Sequence, residues 1–182
     1  KLTPMARKRH RFLESKVLNA ADKIVVTSNN TKQNFLSLTE KPIEVITNGY
    51  DYEPVGNVEL DAKFSLAHIG SLLSDRNPEV LWEVLEELVT NNKIFASMLQ
   101  LNFVGSVSKD VLRSLERHNL SQYVNLIGYV PHKQAIEYQK KSQVLLLIEI
   151  DSEETKCIIP GKLFEYMVSS RPILAIGPKE SD

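Results

Sequence analysis

Towards the end of the chain the sequence reads Ile159-Pro160-Gly161-Lys162-Leu163-Phe164-Glu165-Tyr166-Met167, and shortly afterwards Arg171-Pro172-Ile173-Leu174-Ala175-Ile176-Gly177. This pattern predicts a loop that turns into a helix, a short break, and then a buried strand. Pro160 and Gly161 fix a tight entry into the helix, and the glycine lets another molecule approach the backbone closely.

The start of this helix has the chemistry of an anion site. A helix begins with unpaired N–H groups and a partial positive charge, to which Lys162 adds a full charge. Glu165 follows Gly161 by four residues, so it lies on the same helix face one turn further in. Such a pair suits a nucleoside diphosphate, whose phosphates bind the N–H groups while the carboxylate accepts the ribose hydroxyls. The alternative is an ordinary amphipathic helix with a solvated Glu165.

Composition limits the function classes. The 182 residues are 42% hydrophobic, which allows a sizeable core, and the net charge of −1 gives no basic field for nucleic acid. The sole cysteine, Cys157, excludes an internal disulfide and fits a reducing compartment. No apolar run approaches the roughly 20 residues that span a bilayer. Because the sequence starts abruptly at Lys1 and stops just after a strand, we expect it to be a piece of a longer protein.

Predicted strands alternate with predicted helices along the chain. The most apolar strand, Val144-Leu145-Leu146-Leu147-Ile148, has the composition of a strand covered on both faces. Alternation of this kind predicts an α/β fold with a doubly wound, Rossmann-like parallel sheet and right-handed crossovers. The other strands are predicted at 23–27, 43–46, 64–70, 99–104, 123–127 and 173–176, and a linker at 52–62.

In such sheets, ligands bind outside the carboxyl ends of the strands. The loop Gly70-Ser71-Leu72-Leu73-Ser74-Asp75-Arg76-Asn77 follows one strand and delivers Arg76 immediately before a helix start. An arginine beside a helix N-terminus is suited to clamp phosphate. The alternative is a surface ion pair between Arg76 and Asp75 or Glu79.

Three other nucleotide-binding or signalling patterns do not fit these loops. A dinucleotide fingerprint needs G-x-G-x-x-G, whereas Gly70 stands alone before Ser71. A P-loop needs an earlier glycine and a Ser or Thr after the lysine, but Leu163 follows Lys162. A receiver domain would place acidic residues at strand ends that here read Ile-Gly and Val-Gly.

Five segments in order resemble the carboxyl-terminal, donor-binding domain of retaining nucleotide-sugar glycosyltransferases with the GT-B fold, the "glycosyl transferases group 1" class. Essentially the whole chain takes part in the resemblance. The segments are Ala21–Ser28, which resembles the last amino-domain strand, Glu44–Asp51, which resembles a "V-I-x-N-G-x-D" crossover, Ile69–Leu72, Leu126–Pro131, which matches "G-x-V-P", and Pro160–Met167, which matches the donor-binding helix.

The resemblance implies roles for particular residues. Glu165 would hold the donor ribose, while Pro160, Gly161 and Lys162 would form the diphosphate-binding helix start. Gly70, Ser71 and Arg76 would belong to the first donor loop, with Arg76 neutralising diphosphate charge. Tyr129 and Val130 would border the nucleobase. The donor would be a UDP- or GDP-linked sugar transferred with retention, without a cofactor or a metal.

The sequence departs from the family pattern at two positions. The family has a second glutamate eight residues before the ribose glutamate, where this chain has Cys157. An arginine often follows the first glycine, where this chain has Ser71. Either this chain reads its sugar differently, or the contacts to the sugar come from elsewhere. A lone cysteine beside Ile158 and Ile159 is itself most often a small buried residue.

The resemblance also predicts the domain organisation. Residues 1–40 would be the tail of an amino-terminal acceptor domain, 41–62 a crossover and linker, and 63–182 a donor-binding domain truncated at its end. The expected partners are the nucleotide-sugar donor and, through the missing domain, a glycan or lipid-linked acceptor. We expect the whole protein to be cytoplasmic, with peripheral membrane contact through the basic run Arg7–Arg11 as one option and a solvated helix face as the other.

Two other functions stay open from the sequence. A same-fold nucleotide-sugar epimerase would use the same pocket but needs catalytic carboxylates and a histidine in the cleft. A non-catalytic nucleotide- or protein-binding α/β domain would use the helix start only structurally. The scattered histidines share no metal-ligand spacing, and His68 near a strand end is expected to pack in the core.

Overall fold

The computed structural model describes residues 2–50 and 56–182. The chain divides into two compact units, one made of Lys1–Gly49, Ser152–Pro160 and Lys179–Asp182, and the other of Tyr50–Asp151 and Gly161–Pro178. Part of the predicted linker at 52–62 and the last residue of the predicted crossover segment Glu44–Asp51 lie outside the described residues. The predicted domain boundaries remain a prediction.

The first unit contains a small parallel sheet between helices. Thr3 and Ser28 cap its two helices, as their side-chain oxygens accept hydrogen bonds from backbone N–H groups of the first turns. Its apolar core is formed by Leu18, Ile24, Val26 and Ile43. The elements are α1 (Pro4–Ala20), β1 (Ile24–Val26), α2 (Asn29–Leu36) and β2 (Ile43–Val45), with β1 parallel to β2.

The second unit holds a five-stranded parallel sheet in the order β5-β4-β3-β6-β7. Its elements are β3 (Phe64–Ile69), α3 (Glu79–Asn91), α4 (Lys93–Met98), β4 (Leu99–Val104), α5 (Lys109–Arg117), β5 (Val124–Gly128), α6 (His132–Lys141), β6 (Val144–Ile148), α7 (Gly161–Val168) and β7 (Ile173–Ile176).

Alternate side chains of the central strands enter two separate cores. Leu66 of β3 packs in a core with Trp82 of α3 and Leu115 of α5. The next residue, Ala67, packs in a second core with Tyr166 of α7. Because neighbouring residues of a strand point to opposite faces, helices cover both faces of the sheet. The predicted doubly wound parallel sheet is confirmed.

The structure differs from the sequence-based expectation in two respects. The strands of the described residues fall into two sheets, and β1 and β2 form the smaller one. Lys93–Met98 forms a short helix that the sequence did not predict. Asn92 caps this helix by accepting a hydrogen bond from the Phe95 N–H at 3.0 Å. Six residues are too few to show helical periodicity, and the cap alone gave no sufficient signal.

The strand order reverses between β3 and β6. These two strands pair directly, with Leu66 opposite Val144 and Ala67 opposite Leu145. In an open α/β sheet, the crevice at such a reversal lies at the carboxyl ends of the strands and is the usual place for a ligand. The residues that follow β3 and β6, namely the loop from Gly70 and the side chain of Glu149, lie at this crevice.

Candidate functional site

The loops after β3 and β4 approach each other at two glycines. The Gly70 N–H donates to the Val104 carbonyl at 2.7 Å. Gly105 has φ +115°, and a Cβ on it would lie 2.6 Å from the Gly70 carbonyl oxygen. Gly70 has φ +118°. Only glycine adopts such φ values without strain, so both positions fix the shape of the crevice.

Lys162 extends from the first turn of α7 to the loop after β3. A Cβ on Gly70 would lie 3.5 Å from the Lys162 Nζ atom, so the ammonium group rests against Gly70. Burial lowers the pKa of Lys162, and the Glu149 carboxylate opposes this shift. The helix start and the first loop, which the sequence assigned separately to an anion, therefore meet in the structure.

Arg76 ends a short 3-10 helix in the same loop and points to the crevice. Its Nη2 atom donates to Glu149 Oε2 at 3.1 Å, with the Arg76 side chain 28% and the Glu149 side chain 15% exposed. The sequence offered Asp75 or Glu79 as alternative partners, whereas Arg76 pairs with Glu149 in the structure. Glu149, which directly follows β6, was not singled out from the sequence. Its only sequence signal is an acidic residue at the carboxyl end of an apolar strand.

Unpartnered polar atoms concentrate at this crevice. Four buried side-chain nitrogen or oxygen atoms of the described residues lack a hydrogen-bond partner, and three of them belong to His68 (Nε2), Arg76 (Nε) and Glu149 (Oε1). A buried polar atom without a partner is costly, and native proteins keep such atoms mainly where a ligand or water completes them. The crevice therefore has unused donor and acceptor capacity.

His68 lies in the interior of β3 with a fully buried side chain, as predicted for a packed core residue. Its Nδ1 atom lies 3.1 Å from the Leu146 carbonyl oxygen. Since a carbonyl can only accept, Nδ1 carries the proton and Nε2 is the bare nitrogen of the neutral ring. Burial, and next the charge of Lys162, lower the pKa of His68 to about 4.

The lowered pKa of His68 makes folding stability depend on pH. Between pH 6.5 and about pH 4, His68 is protonated in the unfolded chain but neutral in the folded chain. The free energy of unfolding therefore falls as pH falls through this range. From pH 7 to pH 5 we expect His68 to contribute a loss of about 2 kcal/mol. Urea unfolding at both pH values measures it. In His68→Asn, which keeps a donor towards Leu146, this part of the pH dependence should vanish. If the free energy of unfolding of His68→Asn changed with pH as much as that of the unsubstituted chain, this pH dependence would not come from His68.

Glu165 lies one turn into α7 and faces α6. Its Oε2 atom accepts a hydrogen bond from Gln139 Nε2 at 3.0 Å, and its Oε1 atom lies 3.7 Å from His132 Nε2. The Glu165 side chain is 40% exposed. The carboxylate is thus oriented by α6 rather than freely solvated, and it remains accessible.

Two tyrosines frame the site. The Tyr166 hydroxyl accepts a hydrogen bond from the Ile69 N–H at 3.0 Å, which ties α7 to the end of β3, and burial raises the pKa of Tyr166. Tyr129, which follows β5, is 80% exposed. Hydrogen bonds from Ser106 and Ser71 to its oxygen lower the pKa of Tyr129. The loops after β3, β4 and β5 are therefore joined at these three side chains.

The remaining predicted residues are less informative. Val130 is partly buried beside Tyr129, and Pro160 directly precedes the first residue of α7. Cys157 is partly exposed, which corrects the expectation of a buried residue, and its Sγ donates to the Glu154 carbonyl at 3.4 Å. Among the described residues, no cluster of His, Cys, Asp or Glu is suited to a metal ion. No helix in that part of the chain is long and apolar enough to cross a membrane.

Solved structures share this fold at low sequence identity. TarM from S. aureus, solved with fondaparinux, α-GlcNAc-glycerol and UDP, has a TM-score of 0.62 at 18% identity over 90% of this chain and 32% of its own. Sucrose-phosphate synthase from Thermosynechococcus elongatus has a TM-score of 0.60 at 15% identity, covering 96% and 46%. WaaG, a glycosyltransferase involved in lipopolysaccharide biosynthesis, has a TM-score of 0.63 at 13% identity, covering 83% and 43%.

No family model and no curated protein matches the chain. The chain spans about a third to a half of the length of the three structures above. The five-stranded unit has a Rossmann-like fold, consistent with one half of the GT-B fold. The fold expected from the resemblance is therefore confirmed.

Proposed function

We propose that the five-stranded unit binds the nucleoside diphosphate of a nucleotide-sugar donor, and that the protein is a glycosyltransferase. The observation that carries this proposal is the convergence of Lys162 and Arg76 at the reversal of strand order. Lys162 lies in the first turn of α7 and reaches Gly70, and Arg76 lies beside unpartnered polar atoms, in a unit with the Rossmann-like fold of a GT-B half. Diphosphates bind to this combination of charge and N–H groups.

Each predicted residue has a place in this proposal. Lys162, Arg76 and the N–H groups from Gly161 onwards take the diphosphate, and Glu165 takes the ribose hydroxyls. Tyr129 and Val130 border the base, while Gly70 and Ser71 shape the loop. The donor is a UDP- or GDP-linked sugar, it needs no metal for binding, and the sugar is transferred with retention.

The rest of the reaction belongs to the whole protein. We propose that the acceptor is a glycan or a lipid-linked saccharide and that the enzyme works at the cytoplasmic face of a membrane. In this proposal the present chain supplies donor binding alone and does not transfer sugar by itself. Turnover of a nucleotide sugar by the purified 182-residue chain would contradict this division of labour.

The proposal is tested by thermal unfolding with UDP, GDP, ADP, their common sugar conjugates and NAD. A ligand at a hundredfold excess over its dissociation constant stabilises the fold by roughly 2.7 kcal/mol. One diphosphate should raise the melting temperature, and we expect Glu165→Ala to weaken its binding about tenfold, because a charge-assisted contact to a partly exposed carboxylate is lost.

The matched control is Glu137→Ala, which removes a carboxylate of α6 that is not placed at the site and should leave affinity unchanged. Equal affinity in Glu165→Ala would favour a nucleotide-binding domain that uses α7 only structurally. If NAD alone raised the melting temperature, the site would bind a dinucleotide rather than the donor of a glycosyltransferase. No shift with any ligand, in this chain and in a longer protein containing it, would end the transferase proposal.

A further inference from the structure

Glu149 is a carboxylate placed inside a site built for anions. It follows β6 directly. Its backbone N–H donates to the carbonyl of Ile176, the last residue of β7, at 2.8 Å, and this hydrogen bond fixes the position of the Glu149 backbone. Its Oε2 atom accepts from Arg76 at 3.1 Å, and its side chain is only 15% exposed. A charge held this firmly next to the proposed diphosphate position affects every anion that enters.

The same carboxylate also acts on the second cation. The Lys162 Nζ atom lies against Gly70, within the crevice that Glu149 borders. Glu149 exerts a Coulombic effect on Lys162 that favours the charged ammonium against the effect of burial. Without a ligand, two cations therefore share one close counter-charge, while Glu165 is a weaker contributor.

The Arg76–Glu149 pair is incomplete. Arg76 Nε and Glu149 Oε1 are buried, and neither has a partner among the described residues. Arg76 therefore keeps an N–H donor for an entering anion without first releasing Glu149. The negative charge of the Glu149 carboxylate, which lies beside Arg76, opposes that anion.

Building on the proposed function, we propose that Glu149 is the internal counter-ion of the diphosphate site. It holds Arg76 in place and favours the charged ammonium of Lys162 while no ligand is bound. It also repels the bound nucleoside diphosphate, which limits affinity and favours its release. Glu149 is in this sense a positioning residue that acts through the two cations.

The test is the substitution Glu149→Gln in the 182-residue chain. Glutamine keeps an amide oxygen that accepts from Arg76 but removes the negative charge. Isothermal titration calorimetry with UDP, GDP and inorganic pyrophosphate should show a dissociation constant about tenfold lower than in the unsubstituted chain. Glu83→Gln, an exposed position on α3 with the same change in charge, should leave the constant unchanged.

A merely structural role for Glu149 would give the opposite result, because a disordered Arg76 binds anions less well. Unchanged or weaker affinity in Glu149→Gln therefore overturns the proposal, while the proposed function stands as long as the unsubstituted chain binds one of the three probes.

A second readout is independent of nucleotide binding. If the unsubstituted chain binds none of the probes, the proposed function fails, and the role of Glu149 is decided by the reactivity of Lys162. Loss of the carboxylate should increase the rate of Lys162 acylation by an amine-reactive ester several-fold at about pH 8, relative to exposed Lys63 in the same sample. Peptide mass spectrometry measures both rates. An equal rate in both chains overturns the counter-ion role.

Discussion

Gly105→Ala is expected to lower the free energy of unfolding by about 3 kcal/mol. Two effects add. An alanine at φ +115° is strained, which costs on the order of 1–3 kcal/mol, and its Cβ would meet the Gly70 carbonyl oxygen at 2.6 Å. The obstacle is backbone rather than a flexible side chain, so relief requires the loops after β3 and β4 to separate. A loss of this size is a large part of the 5–15 kcal/mol that typically stabilises a domain.

Urea unfolding measures this loss, and two glycines of the same unit serve as controls. Gly128 has φ +77°, but a Cβ there meets no atom within 4 Å, so Gly128→Ala isolates the strain. Gly56 likewise has open space and lacks a positive φ, so Gly56→Ala should change little. The expected order of losses is Gly105, Gly128, Gly56. If Gly105→Ala unfolds at the same urea concentration as Gly128→Ala, the close approach to Gly70 does not contribute to stability.

Lys162→Met is expected to weaken diphosphate binding about a hundredfold. Methionine keeps an apolar stem of similar length but removes a half-buried cation at the crevice. A charge-assisted contact in such a place contributes about 1.5–3 kcal/mol, which corresponds to roughly ten- to a hundredfold in affinity, and low solvent exposure favours the upper end. Folding should not suffer, because burial disfavours the ammonium, as the lowered pKa of Lys162 indicates.

Calorimetric titration with the diphosphate that stabilises the unsubstituted chain measures this affinity, and a parallel urea titration measures stability. The control is Lys63→Met, which removes an equal charge just before β3, at the opposite edge of the sheet. If Lys162→Met bound the diphosphate with unchanged affinity, the Lys162 ammonium would not be part of the proposed site. A parallel loss of affinity in both variants would mean that net charge alone attracts the ligand.

Caps, turn residues and apolar runs in the sequence predicted most of the helices and strands. Ser108 directly precedes α5 and caps it by accepting a hydrogen bond from the Val111 N–H, which is a local signal of a helix start. The apolar run of β6 is buried on both faces, in agreement with its composition. Such features depend on residues a few positions apart, so one sequence is enough to predict them.

The ion-pair partner of Arg76 could not be predicted from such local features. Asp75 and Glu79 are the nearest carboxylates to Arg76 along the chain, yet Arg76 pairs with Glu149, 73 residues away. The pairing exists because β3 and β6 are neighbours at the reversal of strand order, which brings together the residues that follow them.

The sequence by itself determined the alternating α/β pattern, the position of the helix start at Gly161 and Lys162, and the placement of Arg76 in a loop at the carboxyl edge. These follow from turn residues, caps and periodicity, which act over a few residues. Only the tertiary structure decided that Lys162 meets Gly70, that Gly105 touches Gly70, and that Glu149 pairs with Arg76. Those contacts depend on strand order and on φ values stabilised by distant backbone, which no local pattern encodes.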